Sequence, residues 1–525
     1  MLSDDHPTSN LGQRRLRSRP RTNQLSETLK DLKGNSMTSL TPSTRPFAPM
    51  LPQLVAALLL ATCDTPLQAQ MLDRSDSRVQ TTLAIGWKCI GTVRPRSVGQ
   101  IESQNWTLGC ETLCRDYIDY NLYKEYLVPL GIRRIRLQGG WAKTEQAPGV
   151  YNFKWLDDII ADAKGRGLDI WLETDYGNPI YEGGGGRDLA GGFPTSEVAL
   201  AAWDKWVEAM AIRYKGKVND WAMWNEPDIN KQHTPPDIAD FNIRTAEIIR
   251  RVIPSARIGA LSLASIKPEF LDKCMRRFSD RGKLDLFTWV IYHGYTKNPD
   301  DAYANVEKMR EVVRTYSPRL AMWQGENGCP SERTTKFALS GHDWSELTQA
   351  KWDTRRMLGD LGHDVISSVF TICDFDHTGR EINRKGLLKI NDKTSLAKVK
   401  MAYYAVQNTV AIFDGNLVRQ KEYDAEVKSD VPITWFAYRL KNSGQDLLVL
   451  WDGNNIPSDS NATRNATIDV KGGRLADPVW VDVISGRVYE IPKESVATSQ
   501  GQMALKDIPL YDSPVVIADR NVVLK

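Results

Sequence analysis

Between residues 80 and 400 the chain alternates short apolar runs with longer stretches whose apolar positions recur at helical spacing. The runs are TLAIGWKCI (82–90), IRRIRLQGG (132–140), LDIWLETDYG (168–177), VNDWAMWNEP (218–227), ARIGALSLAS (256–265), LFTWVIYHGY (286–295), LAMWQGENG (320–328) and VISSVFTICDF (365–375). Each is short and rich in β-branched and aromatic residues, as a buried strand requires. Between them, YNLYKEYLVPLG, LDDIIADAKGRG, ALAAWDKWVEAMAIRY and DIADFNIRTAEIIRRVI carry the period of amphipathic helices. Eight such alternations predict a (β/α)₈ TIM barrel over 80–400. The rival is a doubly wound open sheet, which usually opens on a glycine-rich phosphate turn. The dense glycine run here, EGGGGRD at 182–188, follows the third strand and does not fit that motif. From residue 401 the pattern becomes short alternating segments such as ITWFAYRL, DLLVLWDG and PVWVDVI, separated by turn formers. They predict a C-terminal β-sandwich over 401–525.

The N-terminal pattern is of another kind. Residues 1–36 are polar, with the run RRLRSRPR at 14–21, and read as disordered or as an extension ahead of a start at Met37. The apolar run LPQLVAALLLA, Leu51 to Ala61, is too short to span a bilayer. With Ala69 just before Gln70 it reads as a secretory signal peptide over 37–69, cleaved after Ala69. The expected location is therefore periplasmic or extracellular, with no transmembrane span in the mature chain. The alternative is a lipoprotein signal that anchors the chain through Cys63.

Composition changes this picture little. The 525 residues include 41% hydrophobic and 25% charged side chains. The net charge of +3 gives no basic face for a nucleic-acid partner. Sixteen Trp residues suit either sugar stacking or large cores. Cys110 and Cys114 stand at poor disulfide spacing, and no histidine neighbours any cysteine in sequence. Buried free thiols are the expectation, and no metal or organic cofactor is implied.

Candidate chemistry collects where the strands end. In a barrel, function sits on the loops after the C-terminal strand ends. There stand Arg136, Gln138 and Trp141 after the second strand, and Asp175, Tyr176 and Asn178 after the third. Asn225 and Glu226 follow the fourth, His293 and Tyr295 the sixth, Glu326 and Asn327 the seventh, and Asp374 the eighth. Helix capping explains some Asp and Asn residues but not two glutamates on strands four and seven. Two carboxylates in separate environments are what glycoside hydrolysis needs, one to donate a proton and one to act ionised. Glu332 also lies near the seventh strand but beyond its end. Among the tryptophans, Trp224 and Trp323 read as core or site, and Trp141 as the best candidate for stacking on a sugar. Arg133 and Arg134 read as surface residues. The charge run Arg380, Arg384 and Lys385 reads as solvated loop or as a binder of an acidic sugar.

The motif Asn225-Glu226-Pro227, preceded by WAMW and paired with Glu326, resembles glycoside hydrolase clan A. The likeness extends to WAKTEQAPGVYNFKWLD (141–157) and KGLLKIND (385–392). With the appended sandwich it is nearest to family 39 and its β-xylosidase and α-L-iduronidase relatives. The resemblance implies a retaining mechanism on an oligo- or polysaccharide. It makes Glu226 the acid/base, Glu326 the nucleophile, Asn225 a 2-hydroxyl ligand, Arg136 the cation that keeps Glu326 ionised, and Tyr295 its hydrogen-bond donor. Three positions depart from the family pattern: Gln138 stands where histidine is common, the nucleophile lies in GENG, and strand eight carries FTICDF. A non-catalytic carbohydrate-binding barrel is the other functional class, disfavoured because both glutamates are present.

Overall fold

The computed structural model describes residues 82–524, apart from 104, 378–380 and 500. The expected signal peptide, its expected cleavage after Ala69 and the alternative anchor Cys63 lie outside the described residues.

Eight parallel strands close into a barrel: β1 (Trp106–Gly109), β2 (Arg134–Gln138), β3 (Asp169–Glu173), β4 (Asp220–Ala222), β5 (Arg257–Leu263), β6 (Trp289–His293), β7 (Ala321–Asn327) and β8 (Ile366–Val369). Each is followed by a helix: α1 (Lys124–Leu130), α2 (Lys154–Gly165), α3 (Glu197–Tyr214), α4 (Pro235–Val252), α5 (Pro268–Asp280), α6 (Tyr303–Tyr316), α7 (Glu346–Gly362) and α8 (Met401–Ile412). On β2, Ile135 and Leu137 alternate with Arg134, Arg136 and Gln138. The apolar pair joins the core under the helices, and the arginines lie over the interior indoles of Trp323 and Trp171.

Two expectations are corrected. The segment 82–90 supplies no barrel strand: Cys89–Thr92 pairs antiparallel with Arg487–Glu490 at the edge of the sandwich. The first barrel strand is instead Trp106–Gly109, a run too short to stand out by pattern. Arg134 is not a surface residue. It is buried inside the barrel and paired with Asp220 at 3.0 Å.

A seven-stranded antiparallel sheet packs against the barrel, and a four-stranded sheet covers its other face. The strand Asp446–Trp451 shows why it reads as a continuous apolar run. Leu447, Val449 and Trp451 face the barrel core, while Leu448 and Leu450 face the second sheet. Helix α7 meets the sandwich with buried cations. Lys351 pairs with Asp512 at 2.6 Å, and Arg355 binds Asp300 together with the carbonyls of Gly453 and Asn455. The buried cysteines 110, 114, 274, 329 and 373 are free thiols. Among the described residues, no helix is long and apolar enough to cross a membrane.

Candidate active site

The C-terminal strand ends surround a cleft of about 570 Å³, a size suited to a small ligand. Glu226 enters it from an unusual backbone. Its φ of 50° lies in the left-handed region, which side chains rarely adopt unless their surroundings hold them there. Two contacts do so. Its N–H donates to the carbonyl of Ser262 at 3.0 Å, and Pro227 opens the short 3-10 turn Pro227–Ile229 directly behind it. Asp228 fixes that turn by accepting from the Ala264 N–H at 2.7 Å. The strand ends at Ala222, and the turn opened by Pro227 helps hold the glutamate at the cleft wall.

Arg136 organises the opposite side. Its Nη1 donates to Glu326 Oε2 at 2.7 Å and to Glu111 Oε1 at 3.1 Å. Nε reaches Glu173 at 3.0 Å, and Nη2 reaches Asn225 Oδ1 at 2.6 Å. One guanidinium, 1% exposed, therefore serves three carboxylates and an amide. Tyr295 donates its hydroxyl to Glu326 Oε1 at 2.9 Å, so both oxygens of Glu326 have donors. His293, fully buried, sets Nδ1 2.9 Å from Glu226 Oε1. Asn225 donates to the Tyr176 hydroxyl at 2.8 Å.

The two glutamates are pushed in opposite directions. Burial lifts Glu226 above the ordinary carboxyl range, and the negative charge of Glu326 adds to the lift against the hydrogen bond from His293. Burial also acts upward on Glu326, but His293, Arg136 and Tyr295 outweigh it and hold Glu326 below that range. The site therefore sets side by side a carboxyl shifted toward its protonated form and one shifted toward its ionised form. Glu111 is lifted to about 7, by burial first, with Arg136 opposing and Glu326 reinforcing.

The structure brings Asn225, Glu226, Tyr295 and Glu326 to the cleft wall, with Arg136 and His293 directly behind them. Trp141 and Asn178 are corrections. Trp141 is fully buried, stacked with Trp206 and Tyr181, and donates to Glu145 at 2.5 Å. Its helical turn Trp141–Thr144 folds back under α3 instead of reaching the cleft. Asn178 is also fully buried. It donates to the Glu145 carbonyl and pairs by backbone with Gly184, which pins the glycine-rich loop. That approach leaves no room for a side chain, since a Cβ on Gly184 would meet the Asn178 carbonyl at 2.1 Å. Trp224 and Trp323 are core residues. The aromatic walls come instead from Tyr176, Phe337, Phe375 and His377.

Glu111 and Glu173 were not among the expected residues. Glu173 was detectable, because it alternates inward with Trp171 on β3. Glu111 was hidden by the misplaced first strand. Of the expected charge run, Arg384 ion-pairs with Glu332 and Asp374, and Lys385 lines the cleft. Arg380 lies outside the described residues.

One oxygen from each of Glu226 and Glu326 and a ring nitrogen of His293 lie within 4.8 Å of one another. Among the described residues this is the grouping spaced to hold a cation. Its atoms are already committed, His293 Nδ1 to Glu226 and Glu326 Oε2 to Arg136. The cation that serves Glu326 is thus the guanidinium.

No family model and no curated protein matches the sequence. Solved structures do match in fold. A family 39 glycoside hydrolase from the gut symbiont Bacteroides cellulosilyticus is 16% identical, with a TM-score of 0.57 over 82% of this chain and 83% of that one. A family 30 endoxylanase from Clostridium papyrosolvens is 15% identical, with a TM-score of 0.51 over 82% and 98%. A monomeric β-xylosidase from Caulobacter crescentus is 15% identical, with a TM-score of 0.51 over 83% and 98%. The chain shares its fold, a TIM barrel followed by a β-sandwich, with glycoside hydrolases of clan A.

Proposed function

We propose that this protein is a retaining glycoside hydrolase acting on an oligo- or polysaccharide. The observation that carries the reading is the pair Glu226 and Glu326, close in space and with pKa values driven in opposite directions. Glu226 gives its proton to the leaving oxygen as the glycosidic bond breaks, while the Glu326 carboxylate bonds to the anomeric carbon. Glu226, now ionised, takes a proton from water, whose oxygen displaces Glu326 from the sugar. Double displacement suits carboxyl groups about 5–5.5 Å apart, whereas inverting enzymes need roughly 6.5–9.5 Å to seat a water. One oxygen of each glutamate lies within 4.8 Å of one of the other, so the two carboxyls stand together in the cleft.

The neighbours have definite tasks. Arg136 and Tyr295 hold Glu326 ionised and fix the oxygen that attacks. Asn225 spends one amide hydrogen on Tyr176 and keeps a second for a sugar hydroxyl. His293 fixes the Glu226 carboxyl from behind. NMR of the first-formed product tests the proposal: the anomeric configuration of the substrate should be retained, and an inverted first product would reject it. Export belongs to the same proposal, motivated by the apolar run at 51–61. Mass spectrometry of the mature protein should find an N-terminus at Gln70; a lipid on Cys63 would favour anchoring, and an intact N-terminus would reject both.

A further inference from the structure

Lys385 is the cleft residue that the chemistry above does not use. It follows β8 and is 2% exposed, yet its ammonium has no hydrogen-bond acceptor and no ion-pair partner among the described residues. Its Nζ lies 5.6 Å from the Tyr295 ring centre and 5.8 Å from that of Phe337. Burial of an unpaired ammonium is costly, and a lysine normally escapes that cost by extending to water or meeting a carboxylate. The neighbouring cation avoids it in that way, since Arg384 holds both Glu332 and Asp374. Lys385 meets no carboxylate within ion-pair distance among the described residues, and it lines the cleft that holds Glu226 and Glu326.

Service to Glu326 does not account for it. Arg136 already contacts that carboxylate directly, and Lys385 lies beyond ion-pair distance of either glutamate. The second cation lining the cleft, Arg115, spends a donor on Gln138 and likewise has no ion-pair partner among the described residues. A neutral sugar offers hydroxyls, which weakly repay the desolvation of an ammonium. An anionic oxygen group repays more of it, through charge-assisted hydrogen bonds, and would otherwise be repelled by the two glutamates.

We infer that Lys385 is a specificity-determining residue that binds an anionic oxygen group, carboxylate or sulfate, on the sugar held in the cleft. The inference rests on the glycosidase reading for its substrate class but not for its measurement. Oligosaccharides of glucuronoxylan, polygalacturonan, alginate and chondroitin would each be offered to the full chain beside their carboxyl-reduced forms. Carrageenan oligosaccharides would be offered beside desulfated ones. Hydrolysis is read as kcat/KM, and binding by calorimetry on Glu326→Gln. An acidic member should be preferred to its neutral counterpart at least tenfold, and Lys385→Met should erase that preference. A carboxylate-pair preference identifies a uronate, and a sulfate-pair preference a sulfated sugar. Equal use of acidic and neutral members by the unmodified chain overturns the inference, as does an equal loss on both in Lys385→Met. If no pair is hydrolysed the glycosidase reading fails, and the calorimetric preference still decides the role of Lys385 in either direction.

Discussion

Two arginines, two residues apart on β2, both point into the barrel and meet opposite circumstances. Arg134 shares one carboxylate, Asp220, with Arg257. Its guanidinium lies 4.9 Å from the Trp323 ring centre, and burial holds its pKa below the usual arginine range. Arg136 has three carboxylates to itself, and the surrounding negative charge outweighs its burial and lifts its pKa. The lower layer therefore has two cations for one anion, next to indoles that accept positive charge on their faces. The upper layer has one cation for three anions. Around that one guanidinium, burial lifts Glu111 and Glu173, while the better-contacted Glu326 is held down. The lower arrangement is built into the fold, and the upper one shifts its carboxyl groups apart, Glu111 and Glu173 upward and Glu326 downward.

Substitutions along this line should separate the two layers. Glu326→Ala should have the largest effect, lowering kcat by at least roughly 10⁴-fold even on activated aryl glycosides, because no covalent intermediate forms. Residual activity within a factor of ten of wild type would remove Glu326 from the reaction. Arg136→Met should cost roughly 10²–10³-fold in kcat. Without the cation Glu326 ionises at higher pH, so the acid limb of the pH–rate profile should move upward. An unmoved limb would mean that Arg136 only supports structure.

Arg134→Met should behave differently. We expect a loss of roughly 3 kcal/mol in stability, the low end for breaking a buried pair, since Arg257 remains on Asp220. Chemical denaturation measures this, and the pH–rate profile should keep its shape. At Glu111 the expected effect is confined to the pH dependence of stability. Its carboxyl titrates at about 7 in the folded chain, against 4.5 as the ordinary value. The folded state thus binds that proton more tightly, and its contribution to stability is lost as pH rises between those values. Glu111→Gln should therefore gain melting temperature relative to wild type from pH 4.5 to pH 8. A constant difference across that range would contradict the assignment.

Seven of the eight barrel strands were legible, because a strand buried on both faces reads as an apolar run of fixed length. The exception is instructive. Segment 82–90 has the same apolar texture although only Leu83 in it is buried, and local pattern does not reveal which sheet a strand will join. The paired glutamates were legible from their positions at the ends of strands four and seven. Trp141 and Asn178 misled because a loop residue near the rim can turn inward: a tryptophan beside Trp203 and Trp206 gains more from the core than from solvent. Lys385 was visible only as part of a charge run. The ion pairs that remove Arg384 from the cleft bring together residues far apart in the chain, and no sequence spacing encodes them.

The central claim is the division of labour between Glu226 and Glu326, and azide rescue tests it most directly. With Glu226→Ala and an activated aryl glycoside, the first step needs no proton and should proceed. Azide should then speed the second step, giving a glycosyl azide of retained configuration by NMR, because a small anion replaces the water that Glu226 would activate. Glu326→Ala should give no retained product. A Glu226→Ala enzyme inactive on every leaving group, beside a Glu326→Ala enzyme rescued by azide with retained configuration, would contradict the account.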